Sequence, residues 1–282
     1  EDAEDAEDAE DAEDAEDAED AEDEAPAFPV VGIGASAGGL DALKALFTSM
    51  PAETGMAFVV MIHQHPDHTS LLPEILGRTT EIPIVETVDT QVLQPNRIHV
   101  ARPGVPLAIR DGRVHEYTSS DGERPQLPID WFFRSLAEDC GRRGVCIVLS
   151  GTGADGSLGL RAIKAAGGMA LVQEAASAHY TGMPASAIAT NQADAVLRVE
   201  DMPGHLTAYA RTLATRKGPA VTGTAAGEPD GHMREIFRLL RSRCGHDFSE
   251  YKLSTLHRRI ERRMNVHQVQ QLEDYVRYCR EN

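Results

Sequence analysis

The stretch Val30-Val31-Gly32-Ile33-Gly34-Ala35-Ser36-Ala37-Gly38-Gly39 decides the fold. A nearly continuous apolar run, 29–35, passes at once into small turn residues and then into the helical spacing of Leu40–Thr48. A strand that is apolar on both sides belongs in a parallel sheet covered on both faces. FVVMIH (58–63) and VCIVLS (145–150) have the same character. Strands are expected at Pro29–Ala35, Ala57–His63, Ile82–Val85, Arg97–Ala101, Val145–Ser150, Met169–Val172 and Ala195–Val199. Helices are expected at Leu40–Thr48, Ser70–Arg78, Ile129–Cys140, Ser157–Ala166, Pro184–Thr190 and Gly204–Ala214. This alternation predicts an α/β fold: a doubly wound, mostly parallel sheet with helices on both faces. Between Leu107 and Val114, Asp111-Gly112 flanked by β-formers predicts a hairpin.

Outside this block the composition changes twice. Residues 1–24 repeat Glu-Asp-Ala and carry 17 of the chain's 45 acidic residues with no base, nearly all of the net charge of −18. Such a tract cannot bury apolar surface, so 1–26 reads as a disordered acidic segment whose charge says little about the folded surface. Residues 215–231, rich in Gly, Pro, Ala and Thr, read as a linker. The expected organisation is therefore a domain at 27–214 and a small all-helical segment at 232–282. In that segment Ile236, Leu239 and Leu240 mark one helix, Leu256, Ile260 and Met264 a second, and Leu272, Tyr275, Val276 and Cys279 a third. The segment has 11 Lys+Arg against 7 Asp+Glu.

Several classes are excluded. No apolar run is long enough to span a membrane, and the N-terminus lacks the basic and apolar regions of a signal peptide. Cys140, Cys146, Cys244 and Cys279 form no CxxC pair, which argues against a disulfide scaffold or a cysteine–zinc site and for a reducing, cytoplasmic setting. No cofactor, metal, nucleic-acid partner or membrane insertion is expected.

In an open α/β sheet, ligands sit beyond the carboxyl ends of the strands. Three such ends carry reactive residues. Gly34-Ala35-Ser36-Ala37-Gly38 is G-x-S-x-G between strand and helix, the context in which a sharp turn presents a serine and the next N–H groups receive an oxyanion. Gly32-x-Gly34-x-x-Ala37 is also a loose dinucleotide fingerprint, but the second strand ends at His63 without the acid such a site needs. His63-Gln64-His65-Pro66-Asp67-His68 offers a general base for Ser36 or, as HxHxDH, ligands for zinc. Asp155, in LSGTGADGSLG (149–159), can orient a histidine or cap the helix that follows it. In the second role Asn would replace it with little effect on stability.

GIGASAGGLDAL, FVVMIHQHPDHTSLLPEIL, IHVARPG, RPQLPIDWFFRSLA, VLSGTGADGSLGLRAIKAAGG and TGMPASAI, taken together, resemble the catalytic domain of the chemotaxis protein-glutamate methylesterase family (CheB), from about Val30 to Arg211. FSEYKLSTLHRRIERRM and LEDYVRYCREN resemble the N-terminal helical domain of the chemotaxis receptor methyltransferase family (CheR). The resemblance implies a serine hydrolase that removes methyl esters from glutamate side chains on chemoreceptor cytoplasmic helices, and that can deamidate glutamine. It places Ser36 as nucleophile, His63 as base and Asp155 as the triad carboxylate, with oxyanion N–H groups at Ala37 and Thr152. His63 fits without a gap before Pro66; the register through Gln64-His65 is the alternative. Ala37 stands where the family commonly has Thr. Neither a receiver domain nor an S-adenosylmethionine-binding sheet is read in these residues, so those functions are expected from partners in cis or trans. A non-catalytic signalling module and an HxHxDH zinc hydrolase are the competing readings.

Overall fold

The computed structural model describes residues 27–64, 70–117, 125–215, 231–244 and 271–281, with isolated positions between 256 and 269. The acidic repeat and nearly all of the linker lie outside the described residues. The main sheet contains β1 (Val30–Ala35), β2 (Ala57–Ile62), β3 (Ile84–Glu86), β5 (Arg97–Val100), β8 (Gly144–Val148), β9 (Met169–Gln173) and β10 (Ala195–Leu197). Every pairing is parallel, in the order β10-β9-β8-β1-β2-β5-β3. The chain winds outward from β1 in both directions, so the strand order reverses beside it. The predicted hairpin is β6 (Leu107–Arg110) with β7 (Arg113–Glu116), and Asp111 and Gly112 both take positive φ, 52° and 66°. The sequence pattern did not reveal β4 (Gln91–Val92), a two-residue strand that pairs with β7 to complete a small antiparallel sheet. So short an element carries no periodicity to detect.

Alternate residues of each central strand enter opposite cores. Val31, Ile33, Phe58, Val60, Val145 and Ile147 face α1 (Gly39–Thr48), α2 (Leu72–Gly77) and α6 (Met202–Thr215). Val30, Val59, Met61, Cys146 and Val148 face α3 (Pro128–Cys140), α4 (Ser157–Ala165) and α5 (Gly182–Ala189). Both faces are therefore dry, which is why the strands read as unbroken apolar runs. Phe47 of α1 meets Phe58 edge-to-face, ring centroids 5.5 Å apart. Helices α3, α5 and α6 begin one or two residues before their apolar pattern. In α3, α5 and α6 a proline sits in the first turn, where its missing N–H costs nothing.

Gly32 and Gly34 do more than shape the turn after β1. A Cβ on Gly32 would stand 2.7 Å from Leu136 and 2.9 Å from Phe132, and one on Gly34 would collide with Ile129. The two glycines let α3 lie directly on β1. Lys164 of α4 forms a buried ion pair with Asp194, whose other oxygen accepts the Ala170 N–H at 2.8 Å. That pair ties α4 to the entry of β10.

In the C-terminal segment, α7 (Gly231–Cys244) and α8 (Leu272–Glu281) pack through Met233, Ile236, Tyr275 and Val276. Leu256, Ile260 and Met264, the expected second stripe, are buried in the same cluster. No helix among the described residues is long and apolar enough to cross a membrane.

The packing on β1 can be probed by a pair of glycine substitutions. Gly34→Ala is expected to cost about 1–3 kcal/mol by overpacking. Gly204→Ala, on α6 where an added Cβ meets nothing, is expected to be neutral or to stabilise by up to ~1 kcal/mol. Urea midpoints of the two variants check the contrast. His99, fully buried on β5, is held neutral: burial drives its pKa from 6.5 down to about 4, with a small push from Arg97. The folded value lies below the unfolded one, so this contribution is complete above the unfolded pKa and is lost as pH falls from 6.5 toward 4. The urea midpoint of the wild type should drop through that window, and His99→Gln should flatten the drop.

Candidate active site

Ser36 follows β1 directly. Its N–H donates to Ser150 O at 3.0 Å, and its carbonyl accepts from the Gly39 N–H at 2.9 Å. Gly38, with φ 72°, occupies the N-cap of α1, and a side chain there would also meet His179 and Ser150 at 2.8 Å. The strand-to-helix turn is therefore both left-handed and crowded, which only glycine satisfies. From the other side, the β8–α4 loop presses on the serine: a Cβ on Gly151 would stand 2.8 Å from Ser36 Cβ. Ala37, next to Ser36, is half-buried, and Thr152, next to Gly151, is exposed.

His63 is the first residue beyond β2. Ala35 pairs with Ile62 across β1 and β2, and the His63 N–H donates to Ala35 O at 3.1 Å. Ser36 and His63 thus leave neighbouring parallel strands, about 4.8 Å apart, at one level. The His63 side chain is 35% exposed, and its Nε2 lies 3.0 Å from Asp155 Oδ2. His65, Asp67 and His68, the members of the zinc reading and of the alternative register, lie outside the described residues.

Asp155 is only 3% exposed. It does not cap the helix that follows it, as its place just before α4 had implied. Gly156, φ 91°, holds the N-cap position without a side-chain bond. The carboxylate turns instead to the preceding helix: Oδ2 accepts from Ile129 N–H at 3.0 Å and Oδ1 from Asp130 N–H at 2.8 Å, with Gly156 N–H on Oδ1 at 2.9 Å. With His63 it has four partners, and three are the donors of buried backbone. Two of those donors belong to the first turn of α3, where the helix dipole favours a negative charge. An amide could not accept all four bonds, so Asp155→Asn is expected to cost stability as well, where a helix cap alone would leave it nearly unchanged.

The sequence reading missed Ser150 and Gln173. The Ser150 hydroxyl donates to Ala37 O at 2.9 Å and accepts from Tyr180 N–H at 3.0 Å, while its own N–H donates to Gln173 Oε1 at 2.8 Å. It pins the serine turn to the segment before α5. A serine at a strand end was visible, but its partners 113 and 30 residues away were not.

A cavity of about 310 Å³ opens beside His63, lined by Gln64, Arg102, Val105, Pro106 and Gln126 among others. Arg102 is held there by Glu116, with Nε 2.9 Å from Oε1 and a second contact through Nη2.

Residues 31–206 match the family model described as CheB methylesterase, and residues 231–282 match that of the CheR methyltransferase all-alpha domain. A protein-glutamate methylesterase/protein-glutamine glutaminase of Anaeromyxobacter dehalogenans is 34% identical over 187 residues, covering 64% of this chain and 53% of that protein. One from Burkholderia lata is 35% identical over 172 residues, covering 61% and 51%. A 104.1 kDa protein of Rhodobacter capsulatus is 33% identical over 224 residues, which is 73% of this chain and 23% of that one. The chain thus spans about half the length of the methylesterases it matches, and less of the larger protein. The crystal structure of the Thermotoga maritima CheB methylesterase catalytic domain superposes with a TM-score of 0.57 at 26% identity, covering 64% of this chain and 97% of that one. The parallel sheet, the serine turn at its centre and a family match over more than half of the residues agree: the chain belongs to the CheB methylesterase family.

Proposed function

We propose that this protein is a serine esterase that hydrolyses methyl esters of glutamate side chains on chemoreceptor cytoplasmic helices, releasing methanol, and that the same site can deamidate glutamine. The observation that carries the reading is the 3.0 Å contact of His63 Nε2 with a buried Asp155, on a histidine that follows β2 at the level where Ser36 follows β1. The names of the matching relatives and the superposed catalytic domain support the choice of substrate. The proposed domain division is catalytic at 27–214, linker at 215–231 and methyltransferase-like helical segment at 232–282, working in the cytoplasm with receiver and methyltransferase functions supplied in cis or trans.

With Nε2–H donated to Asp155, the lone pair of Nδ1 is left to take the Ser36 proton. Ser36 Oγ attacks the ester carbonyl. The negative charge on the tetrahedral oxygen is received by the backbone N–H groups of Ala37 and Thr152, at a helix N-terminus and in a glycine-rich loop. Ala37 supplies no hydroxyl there, so any stabilisation must come from the main chain. The imidazolium, held by Asp155, returns the proton to the departing methoxide. Water then repeats the sequence on the acyl-enzyme and frees the glutamate. Asp155 fixes the tautomer because its remaining lone pairs are occupied by α3 and Gly156, so it cannot rotate away.

Methanol release from methylated receptor tests the reading. Ser36→Ala is expected to lower turnover by roughly 10³-fold or more, since triad members act as a unit, with an unchanged urea midpoint. Retention of most of the activity would remove Ser36 from the chemistry. His63→Ala should be far more damaging than His65→Ala; the reverse ranking would move the base by two residues. Asp155→Asn should lose both activity and about 1–3 kcal/mol of stability, because a buried N–H of α3 or Gly156 is left facing an amide donor. A silent Asp155→Asn in both measurements would refute the role given to it.

A further inference from the structure

The α3–α4 contact contains a second buried carboxyl that the proposed chemistry does not use. Asp130, in the first turn of α3, is 2% exposed. Its Oδ1 accepts the Gly159 N–H, in the first turn of α4, at 2.6 Å, and Oδ2 has no partner among the described residues. The two helices therefore exchange caps. Asp155, just before α4, accepts N–H groups from the first turn of α3. Asp130, inside the first turn of α3, accepts one from α4. The N-cap residues of the helices themselves, Leu127 and Gly156, make no side-chain cap bond. Gly159 permits the exchange, since a Cβ there would stand 3.0 Å from Asp130 O and collide with Phe133.

We propose that Asp130 is a positioning residue for the reaction, acting as a hydrogen-bond acceptor and not as a charge: its bond to Gly159 locks the start of α4 against α3 and thereby holds Asp155 at His63. This inference rests on the triad reading. The Gly159 bond ties the first turn of α4 directly to α3, and a displacement of that turn moves the neighbouring carboxylate of Asp155 off the imidazole. The environment fits an acceptor that need not be ionised. Burial pushes the carboxyl above its usual range, the Gly159 N–H pulls it down, the neighbouring Asp155 charge adds to the upward push, and the Leu158 N–H opposes it more weakly. Arg134, one turn along α3, opposes it; Asp155 and Arg134 are the charged groups that act on it. An ionised Asp130 would be a second buried negative charge close to Asp155, and like charges at close range disfavour one another.

The test compares Asp130→Asn and Asp130→Ala in methanol release from methylated receptor, across pH, with Ser36→Ala alongside. Asn keeps the oxygen for Gly159 and is neutral. Asp130→Asn is expected to retain kcat within about 2-fold, with the acid limb of its pH profile unmoved. Asp130→Ala is expected to lose about 10²-fold in kcat at unchanged KM, the scale of a misplacement of about an ångström. If the Ala variant does not fold, Asp130→Ser, a shorter acceptor, should fall between the other two. An Asn variant as impaired as Ala or Ser, or one whose acid limb shifts, would show that the charge is what matters and overturn the proposal. A folded Ala or Ser variant with wild-type kcat would reduce Asp130 to a structural role and also overturn it. If Ser36→Ala is itself fully active, the triad reading fails and this one with it. If Ser36→Ala is dead while Asp130→Ala is normal, only the present proposal fails.

Discussion

The carboxylate of Asp155 joins three parts of the molecule at one point: the end of β2 through His63, the start of α3 through Ile129 and Asp130, and the start of α4 through Gly156. A buried carboxylate is costly unless its lone pairs are filled. Here four donors fill them, and three of the four are backbone N–H groups that would otherwise be orphans at helix starts. The charge is thus tolerated for structural reasons and is at the same time available to the imidazole. Removing it would leave buried donors unsatisfied.

The second constraint is steric. Gly32 and Gly34 carry no side chain toward α3, so Leu136, Phe132 and Ile129 rest on the backbone of β1. This sets the depth of α3 and, with it, the height at which the N–H groups of Ile129 and Asp130 meet Asp155. Close approach at β1 and hydrogen bonding at Asp155 are therefore two ends of one helix placement. On the other face α1 is placed by Leu43, Leu46 and Phe47 against β1 and β2, which aims its N-terminus, with Ala37 and Gly38, at the serine turn. Ser150 then cross-links that turn to the segment entering α5, so the loops around Ser36 are bound to one another through main-chain atoms.

The C-terminal helices form their own small core around Met233, Ile236, Tyr275 and Val276. Their exposed faces are held by surface ion pairs: Glu235 bridges Arg238 on its own helix and Arg280 on α8. Such pairs, in the open, contribute little each. The apolar stripe is what makes the helices pack, and its period of three to four residues is plain in the amino-acid order itself.

How much the sequence determined follows from the range over which each interaction acts. Strand–helix alternation, the burial of both faces of the sheet, the Asp111-Gly112 hairpin and the serine turn are local patterns, and the sequence alone decided them. Reactive side chains at the ends of apolar strands also pointed to Ser36, the histidines of 63–68 and Asp155, and the family resemblance chose His63 among them. What the tertiary structure decided are pairings between distant residues. Asp155 meets His63 across 92 positions and caps a helix that begins before it, not the one that begins after it. Asp130 accepts from Gly159, 29 residues on. Ser150 meets Ala37, Tyr180 and Gln173 only across the folded sheet. A carboxylate or hydroxyl takes whichever unsatisfied donors the packing of the sheet and helices brings within about 3 Å, and that packing is a property of the whole chain.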